Sequence, residues 1–269
     1  MASIDILLPY WGEFPLFKET VDSILKQSSA DWRLLIADDC YPSSEAREYI
    51  DSLNDSRITY HRHEQNIGIT RNFNYCAQAA SAPYCVLIGC DDRMLPNFVE
   101  TALKNIGDAD FYQPGVEIID ANGAVYLPLT DRVKRLLMPK KSGLYQGEDL
   151  AASLCRGNWL YFPSVVWKTS TLKMHPFNTE YKIVEDFDVE QNILLDGGTL
   201  YFDTTKTFQY RRFAASLSSR EKGKSGIRFE EEHKIHNLLA KKFSDKGWRR
   251  AEKAAKLRLV SRINQIISR

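Results

Sequence analysis

Two apolar runs end in paired aspartates: Leu34-Leu35-Ile36-Ala37-Asp38-Asp39 and Tyr84-Cys85-Val86-Leu87-Ile88-Gly89-Cys90-Asp91-Asp92. Continuous apolar runs of this kind are the pattern of parallel strands buried on both faces. Ligands of open α/β sheets sit beyond the carboxyl ends of such strands, so both pairs would project into one crevice. An Asp after a strand is by itself more often a turn former or helix cap. Two pairs at two strand ends are harder to explain that way. Four carboxylates in one crevice repel one another unless a cation, a hydrogen-bonding base or a hydroxyl compensates. The arrangement suits a metal-bound diphosphate.

The sequence around these runs predicts a β-α-β-α-β-α-β order. Ile4 to Pro9 reads as the first strand, and Leu16 to Gln27 as a helix from the spacing of Leu16, Phe17, Val21, Ile24 and Leu25. Ser43 or Ser44 can cap a helix running to Leu53, Ile58 to His61 is a short third strand, and Asn66-Ile67-Gly68 is a turn before a helix from Thr70 to Ala80. Short connections between alternating strands and helices imply a parallel sheet with helices on both faces. Beyond Pro96 the pattern predicts a helix over 97–105, a strand over 110–119, a helix over 147–156, an aromatic-rich segment over 158–167, a helix over 185–195 and a strand over 200–210. The stretch from Leu127 to Gly147, with its Pro, Lys and Gly residues, reads as a partly mobile excursion beside the site.

Composition excludes several classes. With 269 residues, 43% of them hydrophobic, the chain can build one large domain with an appendage. A net charge of +1 argues against nucleic acid as a partner. No apolar run is long enough to cross a bilayer, and the start Met1-Ala2-Ser3-Ile4-Asp5 lacks the pattern of a signal peptide, so a cytoplasmic location is expected. Cys40, Cys76, Cys85, Cys90 and Cys155 show no CxxC spacing and read as reduced thiols rather than zinc ligands.

Five motifs in order make the chain resemble the inverting glycosyltransferases of family 2, which have the GT-A fold. They are Leu8-Pro9-Tyr10-Trp11-Gly12-Glu13, Asp38-Asp39, Asn66-Ile67-Gly68 followed by Arg71 and Asn72, Cys90-Asp91-Asp92, and Glu185-Asp186. The resemblance covers Ile4 to Ser218. It implies a Rossmann-like, mostly parallel sheet, with a nucleotide-binding half over 1–96 and an acceptor half over 97–220. It further implies that Pro9, Tyr10 and Glu13 lie beside the nucleobase and ribose, that Asp39 binds the base, and that Arg71 approaches the base or phosphates unless it is a solvated helix residue. Asp92 would be the ligand of a divalent metal, Mg²⁺ or Mn²⁺, with Asp91 nearer the sugar or ribose hydroxyls. Asp186 would be the general base and Glu185, its acidic neighbour, a diphosphate or acceptor contact. Independent chemistry agrees: inversion needs a carboxylate within reach of the acceptor hydroxyl, and a departing nucleoside diphosphate needs positive charge. On sequence alone, acids at the start of a helix pattern are better explained by the helix dipole, and the family match reverses that for Glu185-Asp186.

Among the aromatics, Trp159 is expected to face the sugar and Phe162 the core. The segment Tyr210-Arg211-Arg212-Phe213-Ala214-Ala215-Ser216-Leu217-Ser218 resembles the family's closing segment, with Phe213 where a metal-ligating His is often found. Arg211 or Arg212 would then hold the diphosphate through a bidentate contact. From His233 to Arg269 eleven Lys or Arg stand against Asp245 and Glu252. With Leu257, Val260, Ile263, Ile266 and Ile267 at helical spacing, residues 221–269 read as a basic helical extension that packs on its own domain or touches the inner face of a membrane. The expected partners are a nucleoside-diphosphate sugar (UDP or dTDP), a glycan or lipid-linked acceptor in bacterial surface-polysaccharide synthesis and, left open, a second copy of the chain. The rival readings are a sugar nucleotidyltransferase, for which 9–13 lacks a Gly-rich basic loop, and a catalytically silent sugar-nucleotide binding protein.

Overall fold

The computed structural model describes residues 2–212 and 225–258. Nine strands among them form one sheet in the order β3-β2-β1-β4-β8-β6-β9-β5, with β7 on the outer side of β9. β1 (Ile4–Tyr10), β2 (Trp32–Asp38), β3 (Ile58–Arg62) and β4 (Tyr84–Leu87) are mutually parallel, as their apolar runs predict. Ile4 lies between Trp32 and Tyr84 in register, which brings the ends of β2 and β4 out on either side of the end of β1. The aspartate pairs therefore emerge at the same edge.

Every residue of β1 is buried, and the two-residue period of the strand divides its side chains between two cores. Ile4, Ile6, Leu8 and Tyr10 pack with α1 (Phe14–Leu25), α2 (Glu45–Leu53) and α4 (Phe98–Asn105). Leu7 packs on the opposite face with α3 (Ile69–Ala79), α6 (Gly147–Arg156) and α8 (Glu185–Leu195).

Beyond α4 the sheet becomes mixed. β6 (Phe111–Ile119) runs parallel to β9 (Thr199–Arg211), while β8 (Val166–Lys168) joins the halves antiparallel to both β4 and β6. β5 (Arg93–Met94) and β7 (Gly143–Gln146) are short antiparallel partners of β9. Residues 127–147 carry regular structure, namely α5 (Leu129–Leu137) and β7. A short 3-10 turn, Phe162–Ser164, precedes β8, and α7 (Thr169–Met174) follows it.

The C-terminal part forms two helices, α9 (Ser225–Asp245) and α10 (Arg249–Leu257), in place of one continuous helix. The chain breaks at Gly247, whose φ of +77 an L side chain rarely adopts. Ile235, Leu239, Phe243, Ala251, Ala254 and Ala255 are buried in the same core cluster as Leu150 and Phe187. Glu148 at the start of α6 accepts the backbone N–H of Arg250 at 2.5 Å, capping α10. Residues 229–257 thus pack on the domain; Val260, Ile263, Ile266 and Ile267 lie outside the described residues.

Candidate active site

The turn after β4 is built around Gly89. A Cβ there would stand 2.8 Å from Asp92 Oδ2 and 3.0 Å from Asp91 Oδ1, so two carboxylate oxygens converge on the notch that the missing side chain leaves. Asp92 is buried; its Oδ1 accepts the Arg211 backbone N–H at 2.8 Å, and its carbonyl accepts the Thr20 hydroxyl at 2.7 Å. Burial and then the Asp91 charge push the Asp92 carboxyl well above the usual range, and burial raises Asp91 as well. Asp91 is half-buried, the more open of the two.

Arg211 is not available to a diphosphate. Its guanidinium is buried and donates to the carbonyls of Asp91 (2.7 Å), Asp120 (3.1 Å) and Ala121 (2.9 Å), and it pairs with Glu19. Glu19 also pairs with Arg93 at 2.5 Å. A guanidinium with four of its five N–H groups engaged is a clamp on the Asp91-Asp92 turn. The expected role fails because Arg211 ends β9 against the Asp91-Asp92 turn, where Asp91, Asp120, Ala121 and Glu19 enclose its side chain.

At the neighbouring strand end, Asp39 accepts the N–H groups of Ile67 (2.6 Å) and Gly68 (3.0 Å), fixing the turn that opens α3. Asn72 donates to the Ala37 carbonyl at 2.8 Å, locking α3 onto β2. Asp38 is structural, bound by the Tyr41 N–H, the Tyr60 hydroxyl and Arg62. Tyr10 does not face a nucleotide: its ring is fully buried against Phe17, and its hydroxyl has no partner among the described residues. Pro9 is buried too, since the period-2 alternation of a strand covered on both faces exposes neither residue. What the end of β1 does present is Trp11, 41% exposed and edge-on to Tyr41, together with exposed Glu13. Gly12 is required there, because a Cβ would lie 2.7 Å from Cys90 Sγ. Arg71 is exposed on the first turn of α3, with no hydrogen bond or ion pair among the described residues.

A second acidic group forms at the start of α8. Asp186 is half-buried, and its Oδ1 accepts the Phe187 N–H at 2.7 Å. Burial raises its carboxyl, offset in part by that amide and by Lys134. Glu185 is buried with Oε2 unpartnered among the described residues, and burial followed by the Asp186 charge pushes it up to about 8. Glu190, one turn on, is fully buried, holds Asn158 at 2.8 Å and is raised well above its usual range by burial and by Asp186.

Facing this group is α5. Lys134 donates to the Leu160 carbonyl at 2.9 Å and lies 4.4 Å from the Tyr161 ring centre; burial, then the Arg212 charge, lower its ammonium to about 8. Asp131 is fully buried between the Tyr161 hydroxyl (2.7 Å) and Arg212 (2.7 Å), so Arg212 is committed to α5 and not to a diphosphate. Consecutive residues of β9 and its end therefore fix two parts of the site: Arg211 clamps the Asp91-Asp92 turn and Arg212 holds α5 near Asp186. Trp159 is core rather than a sugar contact: it is 0% exposed, packs edge-on against Phe202 and donates to the Ser153 hydroxyl at 3.1 Å. Phe162 packs among Phe73, Trp167 and Phe177. Asp131, Lys134, Glu190 and Glu19 escaped the sequence reading; the one available signal was Asp131 and Lys134 three residues apart on one face of α5. Phe213 lies outside the described residues.

An α/β sheet with an acidic turn beyond β4 and a second acidic group on α8 defines the class, a GT-A glycosyltransferase fold. Among solved structures, TarS 1-349 of S. aureus superposes with a TM-score of 0.71 over 96% of this chain and 71% of that one, at 14% identity. The mannosyltransferase PcManGT from Pyrobaculum calidifontis, in complex with GDP-Man and Mn²⁺, gives 0.60 over 96% and 72% at 12% identity. The family model for glycosyl transferase family 2 matches residues 5–170, and the chain belongs to that family. WcaA of Escherichia coli (strain K12), described as a colanic acid biosynthesis glycosyl transferase, is 33% identical over 103 residues, 38% of this chain and 37% of that protein. WfgD of Escherichia coli, a UDP-Glc:alpha-D-GlcNAc-diphosphoundecaprenol beta-1,3-glucosyltransferase, is 27% identical over 124 residues, 45% and 49%. The chain thus spans less than half the length of these two curated relatives.

Proposed function

We propose that the protein transfers a sugar, with inversion, from a nucleoside-diphosphate sugar to an acceptor hydroxyl during bacterial surface-polysaccharide assembly, with Asp186 as the general base. The observation that carries the reading is Asp186 itself: a half-buried carboxylate at a helix start, raised by burial and partly offset by the Phe187 amide and the Lys134 cation. Its oxygen takes the proton of the acceptor hydroxyl as the acceptor oxygen bonds to the anomeric carbon; the bond from that carbon to the phosphate oxygen breaks, and the nucleoside diphosphate leaves with the electron pair. Glu185, held protonated near neutral pH, contributes a hydrogen-bond donor rather than a second base.

The Asp91-Asp92 turn fits a hard divalent cation. Its donors are all carboxylate oxygen, Asp91 Oδ1 and Asp92 Oδ2 converge on the Gly89 notch, and two raised carboxyls are what a cation would relieve. Asp91 would bear more of this role than the sequence suggested, since one oxygen of Asp92 is spent on Arg211. Among the described residues no group of three or more His, Cys, Asp or Glu is arranged for a metal, so phosphate and water would complete its shell. Such an ion supplies positive charge to the leaving diphosphate. In this reading Trp11, Glu13, Asp39 and Arg71 would hold the base and ribose, with Arg71 as a cation that has no hydrogen bond or ion pair among the described residues.

UDP-glucose in the description of WfgD and UDP-GlcNAc bound to TarS support a uridine donor, and the diphosphoundecaprenol acceptor of WfgD supports a lipid-linked acceptor here. Incubation with a panel of UDP-, dTDP- and GDP-sugars, followed by NMR of the product's anomeric configuration, tests the reading. A product of inverted configuration from a uridine donor is expected; retention would exclude the direct displacement.

A further inference from the structure

α5 is amphipathic in the reverse of the usual sense. A surface helix normally turns its apolar stripe to the core and its charges to water. Here the charged pair Asp131 and Lys134 faces inward, engaged with Arg212, Tyr161 and Leu160, while Leu129, Val133 and Leu136 are 72%, 39% and 77% exposed. The spacing of those three, i, i+4 and i+7, puts them on one face. Exposed Arg132 and Arg135 stand on the same helix, exposed Lys140 and Lys141 follow it, and exposed Val125 and Tyr126 precede it. The helix's single acid is buried and neutralised by Arg212.

We propose that this outer face of α5 docks on an anionic lipid bilayer, seating the acceptor side of the site at the membrane surface. Apolar residues flanked by Arg and Lys on a short helix match the boundary between acyl chains and acidic headgroups. The same charges disfavour a second copy as occupant, since a two-fold contact would bring Arg132 and Arg135 against themselves. Most of the described apolar residues of α9 and α10 are packed on the core, which leaves Ile227, Leu238 and Leu257 exposed there, singly and far apart in the chain. The inner face of α5 touches Asp186 electrostatically through Lys134, so one helix would carry the membrane contact and line the acceptor side. The inference deepens the lipid-linked acceptor reading and borrows its purpose from it; the geometry of α5 stands alone.

The test is flotation of the full chain with vesicles of phosphatidylglycerol and phosphatidylethanolamine, compared with neutral phosphatidylcholine vesicles. A triple variant, Leu129→Ser, Val133→Ser and Leu136→Ser, alters only exposed side chains, and a second variant, Arg132→Glu with Arg135→Glu, alters the charge. The native protein should float with anionic vesicles at low salt and not with neutral ones; each variant should bind at least tenfold more weakly while keeping its melting temperature and its transfer to a short soluble acceptor. Native protein that ignores anionic vesicles overturns the proposal, as do variants that bind undiminished, or sedimentation showing that the three apolar residues hold a dimer together. Transfer to the soluble acceptor is read without lipid, so loss of the docking surface and loss of the transferase reading give different results.

Discussion

Glu185 is the most telling residue to perturb, because its burial makes a quantitative demand. The folded protein holds it at about 8 against an ordinary 4.5, with desolvation as the main cause and the Asp186 charge second. A carboxyl whose folded value is raised binds its proton more tightly in the native state, so the stability it contributes is present below its unfolded value and lost as pH rises toward the folded one. Each pH unit inside that window costs about 1.4 kcal/mol, which sets a ceiling on the order of 4 kcal/mol between about pH 5 and about pH 8. Sharing of the titration with Asp186 reduces this, and on the order of 2 kcal/mol is expected. Glu185→Gln mimics the protonated form in shape. Urea unfolding should therefore find the variant more stable than the native protein at about pH 8, with the difference shrinking below about 1 kcal/mol at about pH 5. A difference of constant size across that range, or a variant less stable at the alkaline end, would refute the idea that burial holds this group neutral.

Gly89→Ala should weaken nucleoside-diphosphate binding at least tenfold in calorimetric titration while leaving the fold intact, because the new Cβ displaces the Asp91 and Asp92 oxygens; unchanged binding would remove the notch from the site. Arg211→Met strips the clamp from the Asp91-Asp92 turn and takes the donor from the Asp91 and Ala121 carbonyls, Asp120 keeping the Gly123 N–H, and a loss of about 3–5 kcal/mol in denaturant unfolding is expected. Trp159→Ala should cost a comparable ~3–5 kcal/mol through the core cavity. A Trp159→Phe variant, which keeps most of the packing, should leave the KM for donor unchanged; a raised KM would restore the sugar contact.

The strand-and-acid pattern was legible because β1 is buried throughout and β2 and β4 are buried over most of their length, and such strands write their position into the sequence as an apolar run. The Asp38-Asp39 and Asp91-Asp92 pairs could be placed at the crevice edge for the same reason. The sequence does not say which of two adjacent residues a strand turns inward to a backbone partner, and this is where the readings of Arg211, Arg212 and Tyr10 failed. Arg211 resembles a phosphate ligand in one dimension; only the pairing of β9 with β6 and β5 shows its guanidinium enclosed by Glu19 and three carbonyls. α5 was illegible for a related cause: Asp131 and Lys134 look like an exposed pair until Arg212 and Tyr161 arrive from distant segments to bury them. Trp159 was misplaced because aromatic residues serve sugar faces and cores equally well, and the Ser153 hydroxyl that satisfies its indole N–H carries no sequence signature.

The general-base role of Asp186 is tested most directly by single-turnover transfer in Asp186→Asn with the donor saturating, which separates the chemical step from binding. The substitution removes a proton acceptor and almost no volume, so donor affinity should hold within a few fold while the transfer rate falls by about 10²–10⁴, the usual contribution of such a base. A variant that keeps more than about a tenth of the native rate would contradict the assignment, because a positioned base typically contributes about 10²–10⁴-fold.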